Sequence, residues 1–332
     1  MIVTPALAAA NNGNWQTARR WAQMLRSHYR VRVVGQWTGA EAADRADGLM
    51  IALHARRSAH SLAAWHDHQR DTRLRPSVLV LTGTDLYRDI AHDSLAQRSL
   101  QLANRLVVLN ELGLQSLPAE HRSKGVVCLQ STPARQPLAK TRRHLRALMV
   151  GHLRDEKSPQ TYFAAARLLH SRSDILLDHI GGPLDPTLAD EARALMATCP
   201  HYRWLGGLPH AATRARIQAA HVLVHSSRME GGAHVLTEAI TSGTPVLASR
   251  IDGNLGLLGT DYQGTFDWGD AAALAALLQR CRDDGAMLPR LQLQCQKRAP
   301  LFDPQREKQT LLDMLAELQT QLQTLPQTES TA

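Results

Sequence analysis

Two carboxylates, Glu230 and Glu238, stand eight positions apart with Gly231-Gly232-Ala233 directly after the first. Glycines opening an expected helix leave backbone N–H groups facing outward, and the helix dipole adds to their pull on an anion. On such a helix the two positions lie about two turns apart, so both carboxylates address one extended ligand. Glu238 is placed to accept two hydroxyls of a ribose, and Glu230 to stand at the mouth beside a sugar. The competing reading is a solvated helix with two surface glutamates. It is weakened by the apolar runs on either side, His221-Val222-Leu223-Val224 and Pro245-Val246-Leu247-Ala248.

Charges of the opposite sign occur in Gly151-His152-Leu153-Arg154-Asp155-Glu156-Lys157-Ser158-Pro159, after the apolar run Leu145–Val150. Arg154 and Lys157 at a helix start would neutralise a diphosphate without metal and stabilise the charge that develops as it leaves. A solvent-exposed pair beside Asp155 and Glu156 is the alternative. Gly181-Gly182-Pro183 and Leu205-Gly206-Gly207 are turns that would let backbone approach a base ring. Further upstream come Asn11-Asn12-Gly13-Asn14, His54-Ala55-Arg56-Arg57-Ser58 and Thr82-Gly83-Thr84-Asp85-Leu86-Tyr87-Arg88-Asp89. Asn12, Gly13, Asn14, Arg56, Thr82, Gly83, Thr84 and Arg88 together form a rim of amides, hydroxyls and guanidiniums suited to a small tetrahedral anion. His54 would orient a sugar or act as acid/base. With 16 histidines in the chain, a structural role competes with that one.

These residues need elements to hold them. Short apolar runs alternate with helical patterns throughout, the signature of parallel α/β architecture. Strands are expected at Ile2–Thr4, Val31–Val34, Gly48–Leu53, Ser77–Leu81, Arg105–Leu109 and Gly125–Leu129, with helices such as Trp15–Ser27, Ser58–His68 and Ser94–Ala103. A second alternation comprises Leu145–Val150, Ile175–Ile180, Tyr202–Leu205, Val222–Val224 and Val246–Ala248, with Ser158 as cap and Pro159 opening a helix. The 332 residues exceed what one core usually supports. Two domains are therefore expected, 1–135 and 144–300, joined by the Pro-, Gln- and Arg-containing Ser131–Arg143. Leu311, Leu315, Leu318 and Leu322 give a helix over about 304–325 an apolar face that would dock on a domain, and the tail from Pro326 is expected to be disordered. Two doubly wound domains place ligands outside the carboxyl ends of their strands, so a crevice between the lobes is expected.

A hydrophobic fraction of 44% with 20% charged residues fits a globular protein. Only 4% are aromatic, which leaves no stacking platform for single-stranded nucleic acid. The net charge of +8 comes with only five lysines and dispersed arginines, favouring base composition or small anions over a nucleic-acid partner. Cys128, Cys199, Cys281 and Cys295 lack metal-site or redox spacing and read as reduced thiols of a cytoplasmic protein. The first ten residues lack the basic start of a signal peptide, and no apolar run reaches 18 residues, so membrane insertion is not expected. No G-x-G-x-x-G follows a strand, which disfavours a dinucleotide oxidoreductase.

Gly151…Lys157, Gly181-Gly182-Pro183, Leu205-Gly206, Ser227…Glu230-Gly231-Gly232…Glu238 and Gly243-Thr244-Pro245-Val246 occur in the order of the GT-B glycosyltransferases of the glycogen-synthase-like, retaining group, which the chain resembles. The resemblance implies two Rossmann-like domains facing across a cleft. It assigns Glu238 to the nucleotide ribose, Glu230 to the donor sugar, and Gly231-Gly232 with Ala233, Gly182 and Leu205 to the donor's remaining contacts. Lys157 with Arg154 would grip the diphosphate, and Glu230, His54 and Lys157 would be catalytic. His152 stands where the family usually has Arg, and Thr82-Gly83 where it often has His-Gly. The Thr82–Asp89 run, with Gly253-Asn254-Leu255-Gly256-Leu257-Leu258-Gly259, is similar to the selenosugar synthases of selenoneine biosynthesis. That similarity implies reaction of a UDP-sugar, such as UDP-N-acetylglucosamine, with selenophosphate to give a 1-selenosugar, UDP and phosphate. No cofactor or metal is expected, and a homo-oligomer stays open. Transfer to another small anionic or hydroxyl acceptor, and a non-catalytic nucleotide-sugar binder, stand as the alternatives.

Overall fold

A computed structural model describes residues 1–7, 13–68 and 75–323. Asn12 and the tail from Pro326 lie outside them. The chain divides into two compact units, Met1–Gln130 with Gln305–Ala332, and Ser131–Pro304.

The first unit carries six parallel strands: β1 (Ile2–Val3), β2 (Val33–Val34), β3 (Met50–Leu53), β4 (Ser77–Leu81), β5 (Arg105–Val108) and β6 (Gly125–Val127), in the order β2-β1-β3-β4-β5-β6. Side chains alternate across a strand, and here both faces are apolar, as expected when helices cover both sides of a sheet. Met50, Ala52, Leu79, Leu81, Leu106 and Val108 point to one face with Trp37 and Trp65. Ile51, Leu53, Val78, Val80 and Val107 point to the other, against Trp21 and Leu311, Met314, Leu315 and Leu318 of the helix Pro304–Gln323. That helix is anchored by the buried Glu307, which accepts from Trp21 Nε1 at 2.6 Å and from Arg20 Nε at 3.1 Å.

The second unit carries β7 (Leu145–Val150), β8 (Ile175–Ile180), β9 (Tyr202–Trp204), β10 (Val222–His225), β11 (Val246–Ser249) and β12 (Thr265–Phe266), all parallel, in the order β12-β11-β10-β7-β8-β9. Chain order runs outward in both directions from the neighbours β7 and β10. That is a topological switch point, and in open α/β sheets ligands bind at the carboxyl ends of the strands at such a point. The two-residue edge strand β12 carries no periodicity from which to predict it. All four cysteines are free and buried. Among the described residues, no helix is long and apolar enough to cross a membrane.

Candidate active site

At the second unit's switch point, the loop after β7 brings Lys157 and the loop after β10 brings Glu230 into a tight ion pair, Nζ donating to Oε1. His225, the last residue of β10, places Nε2 3.2 Å from the same oxygen but out of line for a hydrogen bond. Burial alone would raise the Glu230 carboxyl. The Lys157 charge and the adjacent imidazole outweigh it and hold the group well below the usual carboxylate range. Burial pushes the His225 pKa down more than Glu230 lifts it.

The placement of Lys157 follows from bonds between the two loops. Ser226 Oγ donates to the carbonyls of Lys157 and Ser158 at 3.1 and 3.0 Å, and Arg228 N donates to Glu156 O at 2.9 Å. The Lys157 stem lies over Gly151, where an added β-carbon would sit 3.3 Å from its Cγ. Ser158 differs from the expected cap. Its backbone is left-handed (φ 45°), its side chain makes no capping bond, and Oγ instead accepts from Trp268 Nε1 at 2.8 Å. Pro159 does open the helix.

Glu230 is not on a helix, contrary to the two-turn expectation. The helix begins only at His234 and ends at Ile240. Gly231-Gly232 is a costly pair for a helix interior, and the loop is packed backbone on backbone against Gly253. A β-carbon at 253 would lie 1.8 Å from the Glu230 carbonyl oxygen. The spacing of the two carboxylates is therefore set by a loop.

Glu238, on that helix and buried, has its own partners. His210 Nε2 lies 2.6 Å from Oε1, His234 Nδ1 at 3.4 Å and Arg214 Nη1 at 3.9 Å. Burial opposes ionisation, and the two imidazoles with the arginine pull the carboxyl down to about 2. The buried Arg214 also donates to Thr132 Oγ1 and to Pro133 O.

Of the other expected donor residues, His152 accepts from the Gly182 amide at 3.0 Å, which ties the loop after β7 to the loop after β8. Gly181 permits that approach, since a β-carbon there would strike the Gly151 carbonyl at 1.8 Å. Leu205 N donates to His179 O, extending the β8–β9 pairing, and Ala233 is buried just before the helix. Arg154 is half-exposed and lies 3.9 Å from Glu156, outside the Lys157–Glu230 cluster.

In the first unit the loops after β3 and β4 converge on one buried carboxylate, Asp85. Its Oδ1 accepts from the amides of Thr82 and Gly83 at 2.8 and 2.9 Å, and Oδ2 from the amide of Ala55 at 2.9 Å. His54 precedes Ala55 in a left-handed conformation (φ 75°), which is costly for a side-chain-bearing residue and needs the surrounding bonds to persist. Its Nε2 is 3.2 Å from Thr84 Oγ1. Burial lowers the His54 pKa, with Asp85 acting against it. Asp85–Asp89 forms a single π-helical turn, a form frequent at functional sites. It brings Asp89 beside His54, Arg56 and Arg88. Gly13 and Asn14 open the helix Gly13–Leu25.

Two parallel six-stranded sheets covered by helices, one of them with charged loops at its switch point, define the GT-B glycosyltransferase class. Residues 130–300 match the family Glycosyl transferases group 1, and the chain belongs to that family. Among solved structures it is similar to HepE of Anabaena in complex with UDP and glucose, with 16% identity, 89% of each chain covered and a TM-score of 0.69. A sucrose-phosphate synthase from Thermosynechococcus elongatus shares 19% identity, covering 82% of this chain and 74% of that one, with a TM-score of 0.65. TarM of S. aureus, in a complex with UDP, shares 11% identity over 80% of this chain at a TM-score of 0.65, and the chain spans only 55% of TarM. At these identities the likeness speaks for the fold. No curated protein matches the sequence.

Proposed function

We propose that the protein transfers a hexosyl group from a UDP-sugar, such as UDP-N-acetylglucosamine, to selenophosphate. Family membership and solved relatives that carry UDP support the donor class. The observation that carries the reading is the partly buried Lys157–Glu230–His225 cluster at the β7/β10 switch point, where a diphosphate-linked sugar would sit. Lys157 would leave Glu230 for the diphosphate and stabilise the departing UDP, assisted by the half-exposed Arg154 and without need of a metal. Glu230, released, would face the positive charge growing on the anomeric carbon. Glu238 would take the ribose hydroxyls, exchanging its histidine partners for the ligand.

The selenophosphate acceptor is supported by the half-exposed Arg56 and Arg88 on the loops after β3 and β4, and by the resemblance of the Thr82–Asp89 run. The Ala55, Thr82 and Gly83 amides of these loops are taken up by Asp85, which leaves the arginines as the anion's partners. Selenium would attack the anomeric carbon as the bond to the UDP oxygen breaks. Water then cleaves the P–Se bond, leaving phosphate and a 1-selenosugar. The nucleophile is already anionic, so His54 positions more than it deprotonates. The test is UDP release and product mass with UDP-N-acetylglucosamine and selenophosphate, set against phosphate, glycerol and a sugar phosphate as acceptors. A product carrying selenium on the sugar is expected. Release that is equal with every acceptor, or that needs none, would overturn the assignment.

A further inference from the structure

Asp89 is 5% exposed, yet among the described residues its Oδ2 has no hydrogen-bond partner. The basic groups beside it stand off: Arg56 Nε at 3.7 Å and His54 Nε2 at 3.9 Å. The other oxygen is satisfied, accepting from Arg88 Nε at 3.0 Å. A buried acceptor left unmade is costly, and a ligand proton would relieve that cost. Arg56 and Arg88 are both about half-exposed, Arg88 held by Asp89 and Arg56 lying 4.0 Å from Asp93 as well, and their turning toward a ligand would uncover Oδ2 between them. Asp89 itself is fixed by the π-helical turn, whose first residue is held by three backbone amides.

A carboxylate can only accept, so an anion beside it must either bring a proton or be repelled. We infer that Asp89 selects the acceptor: Arg56 and Arg88 take the charged oxygens of a tetrahedral oxyanion, and Asp89 Oδ2 accepts from the one that is still protonated. The site therefore admits phosphate-type anions, which keep a hydroxyl at neutral pH, and rejects sulfate-type anions, which keep none. Discrimination arises from an unfavourable contact built against the wrong ligand. The inference rests on the reading of these loops as the acceptor side, and the test separates the two.

The full-length protein is titrated calorimetrically with inorganic phosphate and with sulfate at constant ionic strength near pH 7.5, and separately with UDP. Phosphate should bind at least tenfold more tightly than sulfate. In Asp89→Asn, whose amide can donate, sulfate should gain until the two differ by less than threefold, with UDP affinity unchanged. Asp89→Ser, which removes the charge with a smaller side chain, should also collapse the ratio and guards against a folding defect in the first variant. Equal affinities in the wild type, or a ratio that survives both substitutions, would sink the role of Asp89. Binding of UDP with neither oxyanion would sink the acceptor side while sparing the donor side, and failure of all three ligands would remove the functional reading itself.

Discussion

In the second unit the partly buried Glu230 and the buried Glu238 are answered by side chains: Glu230 by Lys157 and His225, Glu238 by His210, His234 and Arg214. In the first unit Asp85 is answered by three backbone amides, and Asp89 only halfway, by arginines that reach solvent. Side-chain partners can be traded for a ligand's charges, which suits a donor whose diphosphate and ribose must be gripped and released. Backbone partners cannot be traded, which suits loops that must present fixed geometry to a small anion. The second unit's carboxylates are held by exchangeable charge and the first unit's Asp85 by fixed backbone.

The comparison breaks most severely at Lys157. Lys157→Ala leaves Glu230 unpaired in a buried position, so stability should fall by about 3 kcal/mol and turnover by roughly 10²–10³-fold. Thermal unfolding and UDP-release kinetics read the two effects, and unchanged turnover would remove Lys157 from the diphosphate. On the other side, Asp85→Ala orphans three amides and should cost about 2–4 kcal/mol by denaturant unfolding, while UDP affinity stays at the wild-type value. A matching loss of UDP affinity would show that Asp85 serves both units. Glu238→Gln should weaken UDP binding by about tenfold, or about 1.4 kcal/mol, in a calorimetric titration; retained affinity would unseat it from the ribose.

The smallest expected effect is in pH. Hydrogen bonding to Glu238 raises the His210 pKa. The pair is therefore fully formed below the ordinary histidine value and is lost as pH rises through the raised one. Under the proposed Glu238–ribose contact that pair competes with the ligand, so UDP-sugar affinity should climb about two- to threefold between pH 6 and 8.5 by RT ln K bookkeeping, and His210→Ala should flatten the profile. Affinity that falls with pH would mean His210 holds the donor directly. Glu238 itself, held near 2, keeps its contribution at all of these values.

The glycine-flanked glutamate pair, the basic loop after β7 and nearly every strand were legible, because each is a local pattern of spacing or hydrophobicity. His210, His225 and Arg214 were not, since their roles depend on chain segments that meet only when the sheet closes, and histidine is common in this sequence. Asp85 lay in a run noted for its hydroxyls and arginines, but an aspartate that turns inward to its own loop amides looks the same in sequence as one that faces solvent. The helical placement of Glu230 failed for a related reason. Its backbone is governed by Gly253, far along the chain, and no local propensity reports that contact.

That contact has a use. Because bare Gly253 abuts the main chain of Glu230, even the single methyl of Gly253→Ala must displace that loop, without changing the charge of any residue. That one substitution therefore separates where the Glu230 loop sits from how strongly its carboxylate is charged.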